Sequence, residues 1–354
     1  MKKKAVVSLL MAGAFLLLCL IPSVGMLLGG PSPLLANETA PRTPSLKTPD
    51  GRLNENFLNE ITDYVGTRFA LRPAMVSARS YLFEKLFHSS AEEQVVLGRG
   101  TEMYYASTLN DYCGVSLSED ELHAVVRQLR AIQETVEGNG GRFLFTVAPN
   151  KNTVAPGGMP DRFPAGHGRS NLARLVPMLA EAGIAYVDLQ TVLQEGAVLY
   201  YKTDSHWTAR GAALAADALL QALGRDSRYA EGPFREEGMH IGDLYQMLYP
   251  VGKGRETELV YAPGLQYETE SDPRGGNALT IRTASPDGQG SLYCLRDSFG
   301  IALYPYLADA FSEAVFSRSA DYSPEAFADR RADTVILEIV ERNLSSLLPD
   351  GGTA

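Results

Sequence analysis

Asp204, His206 and Ser298 are the residue types that activate a hydroxyl for attack on an ester. A serine hydroxyl is a poor nucleophile until a base takes its proton, and a histidine steered by a carboxylate supplies that base. Asp204-Ser205-His206-Trp207 sits in YYKTDSHWTARGA (200–212) and contains the chain's only tryptophan. Ser298 sits in SLYCLRDSFG (291–300), between an apolar run and the start of a helical pattern. A hydroxyl placed there lies beside backbone N–H groups suited to an oxyanion. The same residues have plainer roles available. Ser298 could cap the helix that follows it, and Asp204 or Thr208 could cap the helix after Trp207. Asp204, His206 and Asp297 could also bind a cation as a metal-dependent hydrolase does, although no further His or Cys completes a zinc set.

These residues need a scaffold, and the patterning supplies one. RFLFTVAP (142–149), SLYCLR (291–296) and DTVILEIV (333–340) read as buried strands, and EQVVLG (93–98) and IAYVDL (184–189) as further strands. Between them lie helical patterns: 118–141 with Ser118 as cap, 170–183, 208–224, Phe299 to Phe311, and 323–332 with Ser323 as cap. Strand and helix in alternation imply a mostly parallel sheet covered on both faces, a three-layer α/β/α domain whose ligand site lies beyond the carboxyl ends of the strands. Three such ends carry chemistry: Asn150-Lys151 after RFLFTVAP, Asp204-Ser205-His206 after VLYYKT, and Asp297-Ser298 after SLYCLR. Asn150 and Lys151 either place a donor near the oxyanion or form an ordinary turn. Trp207 either stacks on a sugar face or packs beneath His206. Glu341 and Arg342 read as a structural ion pair, and His88, His123, His167 and His240 as surface or loop residues without ligand spacing.

At 354 residues and 45% hydrophobic, the chain can bury a full core. With 42 acidic against 32 basic side chains and no basic run after residue 4, nucleic acid is excluded as a partner class. Lys2-Lys3-Lys4 precedes an uncharged stretch from Ala5 to Leu28, long enough to span a bilayer. The best cleavage site, around Ala36, has Leu34 at the minus-three position, which favours an uncleaved anchor with the domain outside the membrane over a removed signal peptide. The expected organisation is therefore an anchor or signal over 1–36, a Pro/Thr/Ser-rich tether over 37–52 and a catalytic domain over 53–354. Residues 231–290 form an irregular or partly β insertion in that domain. Two helices are expected within 53–87, with Phe57, Ile61, Val65, Leu82, Phe83 and Leu86 as core stripes. Cys113 and Cys294 are the exported thiols, able to pair in an oxidising compartment, with Cys294 in a strand-like run that favours an inert core thiol.

YYKTDSHWT, together with VAPNKNTVAP, GDLYQML and LRDSFG, resembles the DHHW proteins and, more distantly, the AlgJ/AlgX alginate O-acetyltransferases, whose catalytic domains are SGNH-hydrolase-like. The resemblance runs from about residue 53 to 348. It implies the aspartate and histidine of a D-x-H-W segment at Asp204 and His206 and the serine of a D-S segment at Ser298. It further implies an acetyltransferase or acetylesterase acting on a cell-surface or exported polysaccharide without a cofactor, with a multi-pass membrane O-acyltransferase as acetyl donor. A non-catalytic carbohydrate-binding scaffold is the other outcome this fold allows. The chain departs from the pattern at three places: Ser205 replaces the first histidine of D-H-H-W, residues 98–105 lack the Trp-Leu-Phe strand, and Arg296 replaces the glycine before Asp-Ser.

Overall fold

The computed structural model describes residues 2–35, 38–115, 117–166, 170–194, 199–270, 279–319 and 321–349. His167 and the Ala36 junction lie outside them. The chain divides into two compact units, residues 1–95 with 243–254 and residues 96–242 with 255–354. The first boundary falls inside the stretch expected to be a single catalytic domain, because the helices before residue 95 contribute no strand to the main sheet.

The first unit is helical. Its leading helix, Lys2–Gly29, contains Ala5–Gly29, long and apolar enough to cross a membrane, with a mean hydropathy of 2.5. Helices Phe57–Arg68 and Arg72–Phe87 follow, broken at Leu71, whose φ of 65° is left-handed and whose successor starts a helix with Pro in its first turn. The expected core stripes are not core. Val65, Leu82 and Leu86 are exposed, Phe57, Ile61 and Phe83 are half-buried, and none of the six stripe residues is buried.

The second unit is built on strands: β1 (Val95–Leu97), β2 (Met103–Tyr105), β3 (Arg142–Ala148), β4 (Tyr186–Val187), β5 (Phe234–His240), β6 (Glu256–Tyr261), β7 (Glu268–Thr269), β8 (Thr280–Ala284), β9 (Ser291–Leu295), β10 (Glu313–Ser317) and β11 (Thr334–Val340). The main sheet has seven strands in the order β4-β3-β11-β9-β10-β8-β7. From β4 to β10 neighbours run parallel, and β8 and β7 add an antiparallel edge. That edge comes from residues expected to be insertion. β5 and β6 pair separately as an antiparallel hairpin.

Side chains alternate across the sheet, so each central strand feeds two cores. Val335, Leu337 and Ile339 of β11 pack with helices Glu119–Gly138 and Asn171–Glu181, while Ile336 and Val340 pack with helices Leu189–Leu193, Ala209–Ala222 and Gly300–Ala310. This is the three-layer arrangement. Ser118 caps its helix by accepting from Glu121 N–H. Ser323 does not cap: its hydroxyl donates to Asp321, and the helix there shrinks to Glu325–Ala328. VLYYKT is not a strand either. Its described part is a loop closed by one isolated bridge, Tyr200 to Trp207, and by the N–H of Thr208 on the Leu199 carbonyl at 2.8 Å. Parallel register sets Ala148 beside Val340 and Leu295 beside Leu337, so the segments after β3, β9 and β11 emerge at one end of the sheet.

Candidate active site

β9 ends in Arg296-Asp297-Ser298, and the helix Gly300–Ala310 begins two residues later. Asp297 fixes this turn. Its carboxylate accepts from the N–H of Phe299 at 2.8 Å and of Val340 at 2.7 Å, and its own N–H donates to Glu338 at 3.1 Å. Burial and the neighbouring Asp297 charge push the Glu338 carboxyl well above its ordinary range. Arg296 is buried and donates to the Asp297 carbonyl at 2.9 Å. A Cβ at Gly300 would lie 2.5 Å from that arginine side chain, so glycine lets the helix start this close.

With the turn held by Asp297, the Ser298 hydroxyl has no capping duty. No side chain caps the helix, and the hydroxyl lies 2.9 Å from His206 Nε2. His206 Nδ1 is 2.7 Å from Asp204 Oδ1, which also accepts the His206 backbone N–H at 2.9 Å. Ser205 Oγ is 3.3 Å from the same ring nitrogen. Asp204 is no helix cap: Thr208 accepts from Gly211 N–H at the start of Ala209–Ala222. Among the described residues, the N–H groups of Ser298 and Gly300 have no acceptor, and both lie at the positive end of the Gly300–Ala310 helix.

The loop carrying Asp204 and His206 is held from several sides. Glu256 accepts from Lys202 N–H at 2.8 Å, from Thr203 N–H at 2.7 Å and from the Thr203 hydroxyl. Gly242 packs so closely that a Cβ there would meet the Thr203 carbonyl at 2.1 Å. Trp207 is 1% exposed, meets Phe299 edge to face and donates to its carbonyl at 3.1 Å. The indole thus packs against Phe299 and is almost wholly enclosed.

Lys151 is buried against β2 and the Asp204 loop. Its ammonium donates to the carbonyls of Met103 at 2.9 Å and Lys202 at 2.6 Å and pairs with Glu102 at 2.8 Å, tying β2 to the Asp204 loop. Asn150 N–H donates to Glu341 at 2.8 Å, and Asn150 and Lys151 line a small cavity separate from the groove that holds Ser298. Glu341 and Arg342 do not form the expected ion pair: Glu341 is buried against Asn150 and Thr153, while the Arg342 guanidinium lies over the rings of Tyr105 and Phe299. Burial pushes the Glu341 carboxyl up to about 7. Asp297, occupied by backbone, does not join Asp204 and His206 as a third ligand for a cation. Cys113 and Cys294 are free thiols.

Three residues to which sequence reading gave no part in the site, His240, Tyr201 and Glu258, complete the surroundings. His240, at the end of β5, is half-buried, not a free surface residue. Its Nε2 lies 2.9 Å from Asp204 Oδ2 and its Nδ1 2.6 Å from Glu258, and its ring stacks on Tyr201 at 3.6 Å. Tyr201 also donates to Glu258 at 3.1 Å. Burial opposes a charge on His240, but its hydrogen bonds to the Asp204 and Glu258 carboxylates outweigh it and raise the imidazole to about 9. The hydrogen bond from His240 holds the Glu258 carboxyl below its ordinary range. The one available signal was the Glu256-Thr257-Glu258 alternation, which puts two carboxylates on one face of β6. Asp204 thus stands between two histidines. This arrangement can deprotonate a serine hydroxyl and hold an acyl ester on it.

A family profile described as SGNH hydrolase-like domain, acetyltransferase AlgX, matches residues 95–274, just over half the chain. The chain is 28% identical over 175 residues to the probable alginate O-acetylase AlgJ of Pseudomonas syringae pv. tomato, covering 48% of this chain and 44% of that protein. It is 25% identical over 146 residues to the Pseudomonas putida protein of the same description, covering 40% and 37%. The match thus spans less than half the length of these relatives. Two solved structures share the fold. One is a DHHW family protein from Eubacterium siraeum DSM 15702, with TM-score 0.54 and 16% identity over 73% of this chain and 95% of that one. The other is Bacillus cereus PatB1, with TM-score 0.52 and 15% identity over 64% and 91%. With its sheet, its helical layers and half its length matched, the chain belongs to the SGNH hydrolase-like family of the acetyltransferase AlgX.

Proposed function

We propose that this protein is a serine-dependent O-acetyltransferase that moves an acetyl group onto an exported polysaccharide through an acyl-serine at Ser298. The observation that carries the reading is the chain of hydrogen bonds Asp204–His206–Ser298 at 2.7 and 2.9 Å in a member of an acetyltransferase family. His206 Nε2 takes the proton of Ser298 as Oγ attacks the carbonyl of an acetyl ester, and Asp204 stabilises the imidazolium. The N–H groups of Ser298 and Gly300 support the oxyanion. Collapse expels the donor's alcohol, which receives the proton from His206. A sugar hydroxyl, deprotonated by His206, then attacks the acyl-serine and carries the acetyl group away. Water in place of the sugar gives an acetylesterase. Asp297 acts as a positioning residue, through the Phe299 and Val340 amides. A multi-pass membrane O-acyltransferase would supply the donor, and the apolar helix would hold the domain on the exported side, where protease added to intact cells digests it.

Incubating the full chain in detergent with an acetyl ester and a panel of polysaccharide fragments, alginate oligosaccharides included, tests the reading. Mass spectrometry should find acetyl on a sugar, or free acetate if water is the acceptor. Tight glycan binding with no ester consumed would identify a non-catalytic scaffold instead. Activity that disappears with a chelator and returns with a divalent cation would identify a metal-dependent hydrolase.

His240 adds a pH signature to stability. Asp204 and Glu258 face its two nitrogens and Tyr201 its ring face. Since its folded value of about 9 lies above its ordinary 6.5, its contribution is fully present below pH 6.5 and is lost as pH rises through 9. Wild type should exceed His240→Gln by on the order of 1–2 kcal/mol at pH 6, after solvent screening, and the gap should close by pH 9.5. Thermal melts across that range check this, and a gap independent of pH would contradict it.

A further inference from the structure

We infer that the helix Arg72–Phe87 lies flat on the exported leaflet of the membrane, with its apolar face set into the lipid boundary. This rests on the reading of the leading helix as an anchor and assigns a second lipid contact beside it.

Met75, Ala78, Leu82 and Leu86 recur at helical spacing and are all exposed, so they form one stripe along the element, with exposed Leu71 at its start. From Leu71 to Leu86 that stripe runs roughly 22 Å at about 1.5 Å per residue. The other side is the covered one: Ser80 is buried, and Val76, Phe83 and Glu84 are half-buried. Glu84, the helix's acidic residue, faces that covered side and accepts from the Tyr249 hydroxyl. Among the described residues of the second unit, the large apolar side chains left exposed are Val115, Met239, Ile241 and Leu279, which form no such stripe. Single exposed apolar residues are ordinary, whereas a continuous apolar face marks a contact with lipid or protein.

The leading helix decides which. Ala5–Gly29 is roughly 37 Å long at about 1.5 Å per residue, against a hydrocarbon core of about 30 Å, so its last turns stand at the exported boundary. Gly25 in those turns packs on Ala70 so closely that a Cβ there would meet the Ala70 Cβ at 2.6 Å. Just beyond, the N–H of Ser32 donates to the Arg68 carbonyl at 2.9 Å, and Arg72 pairs with Glu38 at 2.6 Å. These contacts hold the Leu71 turn, where the stripe begins, at the depth of the lipid headgroups. Rising from there, the helix would leave its stripe in water along its full length; lying in the boundary plane buries it. Tyr81 and Lys85, both exposed beside the stripe, suit that depth: a phenol sits at the boundary, and an ammonium reaches lipid phosphates while its methylenes stay against the tails.

Photocrosslinking tests this in the full-length protein, reconstituted into vesicles of phosphatidylethanolamine and phosphatidylglycerol. p-Benzoylphenylalanine is placed singly at Leu82, at Leu86, at Leu16 within the leading helix, and at Asp63, exposed on the neighbouring helix Phe57–Arg68. Melting curves verify that each variant folds. Intact mass after irradiation should show lipid adducts at Leu16, Leu82 and Leu86, with the yield at Asp63 lower by about tenfold. Yields at Leu82 and Leu86 no higher than at Asp63, with Leu16 labelled, overturn the inference and leave the anchor standing. No lipid adduct at Leu16 removes the anchor and this contact together. In membranes of the producing cell, adducts with a protein in place of lipid at Leu82 and Leu86 also overturn it, and make the stripe a protein-docking surface.

Discussion

Asp204→Asn should lower kcat/KM for acetyl transfer by about three to four orders of magnitude while the protein still folds. Asp204 serves two imidazoles, one through each carboxylate oxygen. An asparagine offers one acceptor and one NH₂. It carries no charge to stabilise the His206 imidazolium, and its oxygen can turn to His240, whose Nδ1 keeps its partner Glu258. The NH₂ then faces His206 Nδ1, which must become an acceptor, and the proton moves to Nε2, where it blocks uptake of the serine proton. Folding survives because Thr208, not Asp204, caps the Ala209–Ala222 helix, and because Glu256 and Trp207 hold the loop independently. Loss of the ion pair to His240 should cost on the order of 1–3 kcal/mol. Turnover within tenfold of wild type in a folded Asp204→Asn protein would end the catalytic reading of that residue.

The central sheet was legible because its strands are buried on both faces. RFLFTVA, SLYCL and TVILEIV are continuous apolar runs, and helices with capping serines or terminal glycines separate them. The antiparallel edge, β7 and β8, was not legible. An edge strand with one exposed face mixes polar and apolar residues, and these lie in a stretch whose glycines and charges read as irregular or partly β, with no strand located in it. The stripes of residues 57–86 misled for the opposite reason: periodicity reports an apolar face but not what covers it.

For the site, the residue types and their places after apolar runs pointed to Asp204, His206 and Ser298, and the structure places the three in hydrogen-bond contact. Their support was hidden. His240 reaches Asp204 from a polar hairpin 36 residues away, with Glu258 on its other nitrogen, and no local pattern encodes such a contact. Lys151 shows the same limit. Its position after a strand was correct, but the direction of its ammonium depends on carbonyls 48 and 51 residues distant in sequence.

The most direct measurement is covalent capture. A serine whose hydroxyl meets His206 Nε2 at 2.9 Å, at the amino end of a helix, should react with a sulfonyl fluoride or an activated acetyl ester far faster than any other serine in the chain. Intact mass and peptide mapping of the wild-type protein should show one added group on the peptide containing Asp297-Ser298-Phe299-Gly300. His206→Ala should slow the labelling by about 10³-fold or more, and Ser298→Ala should abolish it, with both variants melting within about 1 kcal/mol of wild type. Label spread equally over other serines, or persisting in Ser298→Ala, would contradict the account.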